Sequence, residues 1–186
     1  MTPTYPSLAE LSAKNSHGCG KALDTGCGPG LASIYLLEKS WKVVAIDKDP
    51  EMVMRLQRKV ARLNHQQNIV VQCADFILAE LPEVHLMHAG YAMQYVPPYL
   101  FDATWRKLTA CIAYDGIFAG QFFGTHDLFG HSKDYSVFDE ASCRSLFSQW
   151  ELLMFDTYLG PGHRNPERIW HFFTVVARKK FFDFRA

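Results

Sequence analysis

Leu23-Asp24-Thr25-Gly26-Cys27-Gly28-Pro29-Gly30 decides the fold. An apolar run, Ala22 to Thr25, stops at glycine and reads as a buried strand. Pro29 to Lys39 follows with Leu31, Ile34 and Tyr35 at helical spacing. Working outward, Trp41 to Asp47 is a β-branched strand. Asp49 and Pro50 open a helix whose buried face is Val53, Leu56, Val60 and Leu63. Ile69 to Ala74 and Val84 to Ala89 are the third and fourth strands, and Pro98 starts a helix carrying Phe101, Trp105, Leu108 and Ile112. After an Asp115-Gly116 turn, Ile117 to Phe123 is the fifth strand. Ser136 with Asp139 resembles a capping box before a helix with Cys143, Leu146 and Phe147. Trp150 to Tyr158 and Arg168 to Arg178, joined through Gly160-Pro161-Gly162, are two more strands with no helix between them. Alternating strands and helices imply a parallel sheet covered on both faces, and the last two strands must pair antiparallel. The expectation is an α/β fold, a doubly wound seven-stranded mostly parallel sheet with a C-terminal hairpin. Residues 1–20, with a short helix over Ser7 to Lys14, form a lead-in to one domain over 21–186.

Composition narrows the function. The chain has 186 residues, and nineteen Lys and Arg balance nineteen Asp and Glu, so no global positive field holds a polyanion. Five cysteines, an odd number with no C-x-x-C pair, argue against a disulfide framework or a metal site and for a reducing, cytoplasmic setting. The first twenty residues have no apolar signal core, and no eighteen-residue apolar run suggests a membrane span. Most of the fourteen Phe lie in the second half of the chain, material for a core or an aromatic pocket.

The loop spacing is G-x-G-x-G, whereas a dinucleotide fingerprint requires G-x-G-x-x-G. Glycines admit a close ligand, and the following helix start offers free N–H groups. Asp24, ahead of the loop, would repel a pyrophosphate and attract a free ammonium, which favours an amino-acid-containing nucleotide over a dinucleotide. Asp47 ends the second strand, where a carboxylate accepts both ribose hydroxyls. Asp75 closes the third, where it can accept from an adenine amino group while the Phe76 backbone N–H meets a ring nitrogen. Each acid alone also reads as a plain turn carboxylate. Three at the C-terminal tips of successive strands face one crevice.

LDTGCGPG, VVAID and CADF resemble the motifs of the class I S-adenosylmethionine-dependent methyltransferases, and the order of elements fits their Rossmann-like fold throughout. The resemblance implies S-adenosyl-L-methionine as cofactor. Gly26 and Gly28 would line its methionine part, with Cys27 beside them and Asp24 at its amino end. Asp47 with neighbouring Lys48 would hold the ribose, and Asp75 with Phe76 the adenine. His88 and Ala89 would lie near the methyl group. The segments HAGYAMQYVPP (88–98) and GQFFG (120–124) are similar to bacterial tellurite-resistance and thiopurine-type small-molecule methyltransferases.

Methyl transfer is an in-line displacement, so alignment and water exclusion dominate, with a base needed only where the nucleophile must lose a proton. His88, Tyr91 and Gln121 are the catalytic candidates. Tyr91 and Phe123 can wall a pocket and meet the sulfonium by cation–π attraction. Gln94 and Gln121 can orient a polar substrate, and His88 or His126 can take a proton. Tyr95 and Asp127 lie nearby, although His126 and Asp127 also read as loop surface and one of Phe122 and Phe123 as core. Val96-Pro97-Pro98-Tyr99 resembles the Pro-Pro-aromatic motif of amino methyltransferases of DNA and protein glutamine. Those carry Asp, Asn or Ser before the prolines, and Val96 cannot accept a hydrogen bond. Segments 88–94 and 121–127 contain no Lys or Arg, which suits a small-molecule acceptor and no nucleic-acid or membrane partner, in a monomer or homodimer. The alternatives are a nucleic-acid or protein methyltransferase, or a non-catalytic S-adenosylmethionine-binding regulator. HRNPER (163–168) sits in the hairpin loop and could touch substrate, though it reads first as a solvated loop, and Arg178, Lys179 and Lys180 with Phe181, Phe182 and Phe184 read as a basic, apolar tail.

Overall fold

A computed structural model describes residues 9–10, 20–63, 66–128, 133–162 and 166–180. Most of the lead-in segment, His163 to Asn165 of the hairpin loop and the tail from Phe181 onward lie outside the described residues. The strands are β1 (Lys21–Thr25), β2 (Lys42–Asp47), β3 (Ile69–Cys73), β4 (Val84–Ala89), β5 (Ile112–Gly124), β6 (Val137–Phe138), β7 (Trp150–Pro161) and β8 (Ile169–Lys179). The helices are α1 (Leu31–Glu38), α2 (Pro50–Val60), α3 (Pro98–Ala110) and α4 (Glu140–Ser145).

The sheet order is β3-β2-β1-β4-β5-β8-β7, with β6 beside the end of β5. β1 to β5 run parallel, and β8 is antiparallel to both β5 and β7, as the expected C-terminal hairpin requires. The order reverses at β1, which pairs β2 on one side and β4 on the other. That reversal opens a crevice at the C-terminal tips of these strands.

Three sequence expectations need correction. First, β6 is an eighth strand, parallel to β5 through Phe123↔Val137 and Gly124↔Phe138. Ser136 therefore is not the cap of α4. Its hydroxyl donates to the Val96 carbonyl at 2.7 Å, and Asp139 caps α4 by accepting from the Ser142 N–H at 2.7 Å. Second, Asp115-Gly116 is not a turn between elements. β5 begins at Ile112, and the pair forms an irregularity where Val84↔Ile112 gives way to Leu86↔Ile117, with Asp115 at φ 63°. Third, α1 starts at Leu31 rather than Pro29, because Gly30 turns left-handed at φ 84° as its N-cap. The caps of α2 and α3 are as the sequence indicates: Asp49 accepts from the Glu51 N–H at 2.8 Å, and Pro98 takes the first turn of α3.

Alternation along the strands sends side chains to two cores. On the α3 face, Trp105 packs edge-on to Phe118 and Phe147, with ring centroids 5.1 and 5.2 Å apart, and Phe122 joins them. On the other face, Leu36 of α1 and Leu56 of α2 cover Ala22, Ala45, Leu86 and Ala119. The aromatic surplus of the second half is thus mostly core. Among the described residues, no helix is long and apolar enough to cross a membrane.

Candidate active site

The crevice holds a cavity of about 310 Å3 at the tips of β1, β2 and β3. Its floor is the glycine loop. Gly26 has φ 63°, and a Cβ there would meet the Ala92 Cβ at 2.9 Å, so a side chain would both strain the backbone and intrude. Two successive N–H groups tie the middle of the loop to β2. Cys27 N–H donates to the Ile46 carbonyl at 3.0 Å, and Gly28 N–H donates to Asp47 Oδ2 at 2.8 Å. Asp47 Oδ1 accepts from the Asp49 N–H at 2.9 Å. A carboxylate offers about four lone-pair sites, so Asp47 keeps capacity for two ribose hydroxyls while bracing the loop.

The second wall is the turn after β3. Ala74 N–H donates to the Asp47 carbonyl at 2.9 Å, and Asp75 Oδ1 accepts from the Ile77 N–H at 2.9 Å. Gly26, Asp47, Lys48, Asp75 and Phe76, five residues expected to meet the cofactor, line this one cavity. Tyr91, from the catalytic candidates, closes one side together with Tyr95. Asp49, Met52, Ile77 and Ala92 complete the lining and were not singled out by the sequence. Met52 had a signal: it is apolar yet lies off the Val53–Leu56–Val60 stripe, so the α2 core does not account for it.

The other expected residues sit elsewhere. Asp24 is 1 % exposed and does not line the cavity. Its Oδ2 accepts from the Ser33 hydroxyl and its Oδ1 lies 2.9 Å from His88 Nδ1. Buried and engaged on both oxygens, this carboxylate braces β1, β4 and α1 against one another. His88 is equally buried against it, so neither proton abstraction nor contact near a methyl group follows from its position. Ala89 is buried in the core on the α3 face. Cys27 and Gly28 belong to the loop but not to the cavity lining. Burial, with the charges of Asp24 and Asp47, pushes the Cys27 thiol upward, so it stays protonated and unreactive.

Tyr91 has φ 49°, an uncommon left-handed conformation for a bulky residue and one found at functional sites. Its ring stands edge-on to Phe172 and Trp170, at 5.5 and 6.1 Å between centroids, and Phe123 lies 5.9 Å from Trp170. Burial and the nearby Tyr158 push the Tyr91 phenol up to about 12, making it a neutral hydrogen-bond donor near pH 7 and not a base. Gln94 donates to the Tyr91 carbonyl. Gln121 is 2 % exposed, opposite Thr174 in the ladder, and among the described residues its amide oxygen accepts no hydrogen bond. Asp127 is buried, accepts from the His171 N–H at 3.1 Å and lies 3.6 Å from Arg168. The Arg168 guanidinium stacks 3.7 Å over Trp170. Among the described residues, the hairpin thus brings an arginine, paired with Asp127, to the Trp170 ring. Val96 is buried and Pro98 simply starts α3, so the Pro-Pro-aromatic match is superficial.

A model of the methyltransferase domain matches residues 22–116, just over half of the chain. The chain belongs to that family. The methyltransferase family uses S-adenosylmethionine, and the cavity's acids, glycine floor and size fit that cofactor. The chain is similar to a probable dimethyladenosine transferase of Dictyostelium discoideum, 34% identical over 79 residues, which are 42% of this chain and 25% of that protein. The match thus spans about a quarter of that relative's length. Among solved structures, the chain resembles TehB from Haemophilus influenzae, with TM-score 0.82 at 19% identity, covering 97% of this chain and 64% of that one. It also resembles the 1,6-didemethyltoxoflavin-N1-methyltransferase of Burkholderia thailandensis, solved with 1,6-didemethyltoxoflavin and S-adenosylhomocysteine bound. There the TM-score is 0.73 at 16% identity, covering 97% of this chain and 80% of that one.

Proposed function

We propose that this chain moves the methyl group of S-adenosylmethionine to a small-molecule acceptor held beside Tyr91. The observation that carries the reading is the junction at Tyr91: one ring closes the nucleotide-sized cavity and packs on the aromatic group of Trp170 and Phe172. Asp47 would hold the ribose, Asp75 and Phe76 the adenine, and the Gly26 turn the methionine part. The bound cofactor supplies an activated methyl on a sulfonium. That sulfonium would give up its methyl to the acceptor's lone pair and leave as a neutral thioether. Tyr91 would donate a hydrogen bond to the acceptor and shield the reacting centre from water, and the Gln121 amide oxygen would accept from it. Neither His88 nor Tyr91 is placed or poised as a base, so the reading favours an acceptor that attacks through a lone pair it already has. A structure of similar fold solved with 1,6-didemethyltoxoflavin bound supports a small-molecule acceptor. Free cysteines, with Cys73 exposed, support a reducing cytoplasmic setting.

A nucleic-acid acceptor is less well supported. The similarity to the dimethyladenosine transferase is confined to 79 residues, and Val96 offers no acceptor to an attacking amine. The test follows labelled methyl from S-adenosylmethionine into metabolite, RNA, DNA and protein fractions. Label in a metabolite is expected. Label only in RNA, DNA or protein refutes the acceptor class, and tight cofactor binding with no turnover on any fraction supports the regulator. A separate thermal-shift assay should show S-adenosylhomocysteine raising Tm with NAD inert. Ligand at a hundredfold excess over Kd adds roughly 2.7 kcal/mol of stability.

A further inference from the structure

We infer that Lys107, which does not line the cavity, is the positioning residue that makes the turn after β3 selective for adenine. The inference rests on the reading that Asp75 and Phe76 hold that base. Lys107 lies in the last turn of α3, half-buried, and its Nζ donates to the Phe76 carbonyl at 3.1 Å and to the Ile77 carbonyl at 3.0 Å. Those two residues and Asp75 are consecutive, and all three face the cavity.

The turn has three internal ties, each anchored on Asp75. Its side chain accepts from the Ile77 N–H, and its carbonyl accepts from Leu78 at 3.0 Å and Ala79 at 2.9 Å. Ala74, bonded to the Asp47 carbonyl, and the buried Phe76 side chain anchor the start of the turn, and Lys107 adds a hold on its middle from α3. One ammonium gripping two successive carbonyls fixes both peptide planes, and with them the direction of the Phe76 N–H and the Asp75 carboxylate. Charge-assisted donors to neutral carbonyls in a part-buried place are among the stronger hydrogen bonds.

Adenine recognition depends on that direction. An acceptor at the amino group and a donor at the ring nitrogen must both be aligned, and a hypoxanthine ring presents the reverse pair. Weakening the grip should therefore cost affinity for adenine and leave a ligand that cannot use these contacts nearly unaffected.

The experiment measures Kd for S-adenosylhomocysteine and for its hypoxanthine analogue in the wild-type chain and in Lys107→Met, Lys107→Arg and Asp75→Ala. Methionine keeps the packing of the lysine stem, so the fold is retained. Lys107→Met should bind S-adenosylhomocysteine about tenfold more weakly and the analogue within about twofold of wild type, with Lys107→Arg recovering most of the loss. An equal loss for both ligands in Lys107→Met overturns the inference, since a general loosening of the fold would do that. Wild-type affinity in Lys107→Met with weakened binding in Asp75→Ala overturns it while the adenine reading stands. Wild-type affinity in Asp75→Ala overturns both.

Discussion

The two halves of the crevice are built in different ways. On the β1–β2–β3 side, the groups that meet the cavity lie within five residues of a strand tip, and its turns are held by backbone N–H bonds to Asp47 and Asp75. On the β4–β5–β8 side, Tyr91 meets Trp170 and Phe172 of β8, far away in sequence, and the antiparallel ladder that sets Phe123 opposite Phe172 brings β5 to the same group. The first half is a rigid frame whose chemistry is backbone and carboxylate. The second is a packed aromatic group whose shape can change with a few side chains while the frame stays. A family that keeps one cofactor and varies its acceptors is served by that division.

The largest expected effect tests the rigidity of the frame. A Cβ at Gly30 would stand 2.1 Å from Leu56 Cδ1 in the core, at φ 84°. Overpacking and left-handed strain together should cost about 2–4 kcal/mol in Gly30→Ala, read by urea unfolding. Adding Leu56→Ala removes the clash but opens a cavity of its own, so a double mutant less destabilised than the sum of the two singles would identify the contact as the cause. Strict additivity would mean that the loop gives way elsewhere.

Next comes Asp47, whose carboxylate serves both loop and ligand. Asp47→Ala should weaken cofactor affinity by about 1.5–3 kcal/mol, the scale of hydrogen bonds to a charged group. Calorimetric titration with S-adenosylhomocysteine measures it, on a chain whose far-UV spectrum is that of wild type. Unchanged affinity would remove the ribose from the tip of β2 and break the contrast between the two halves at its firmest point.

A smaller effect probes the other half. Tyr91→Ala and Gln121→Ala should slow methyl transfer by about tenfold, near 1.4 kcal/mol of transition-state stabilisation, while cofactor affinity changes little. Tyr91→Phe separates ring from hydroxyl: if the aromatic wall matters most, it stays close to wild type. A parallel loss of cofactor affinity and rate in Tyr91→Ala would make Tyr91 part of the frame after all.

How far the sequence could be read follows the same division. The tips of β1, β2 and β3 were legible because a glycine turn or an acid after a β-branched run is written in consecutive residues. Asp24 looked like one of this set, but its spacing to Ser33 and its register with His88 draw it inward. Ser136 and Asp139 were ambiguous in sequence, since either can cap a helix. Only the docking of Ser136 on the Val96 carbonyl decides between them. Arg168 and Lys107 were illegible for a common reason. One reads as a hairpin-loop charge and the other as an ordinary cation ending a helix, until packing sets them beside Trp170 and the turn after β3.

The smallest expected effect concerns pH at the outer end of the aromatic group. His171 is 7 % exposed, and its Nδ1 accepts from the His126 N–H at 3.1 Å, which it can do only while that nitrogen carries no proton. Burial lowers its pKa, the neighbouring His126 lowers it further, and Asp127 opposes both. Arg168, 3.6 Å from Asp127, is the other charge facing this group. A histidine whose pKa is lower in the folded than in the unfolded chain binds fewer protons when folded. Stability from this group is therefore complete above the ordinary histidine value near 6.5 and declines as pH falls through the depressed folded value. Protonation would turn Nδ1 from acceptor into donor and set it against the His126 N–H. Wild-type Tm should fall more steeply between about pH 7 and 5 than that of His171→Gln, whose amide oxygen accepts at any pH. The midpoint of that extra fall should lie below the unperturbed histidine range. Equal slopes in the two proteins would mean that the hairpin end, unlike the frame at Asp47, does not depend on the protonation of a single side chain.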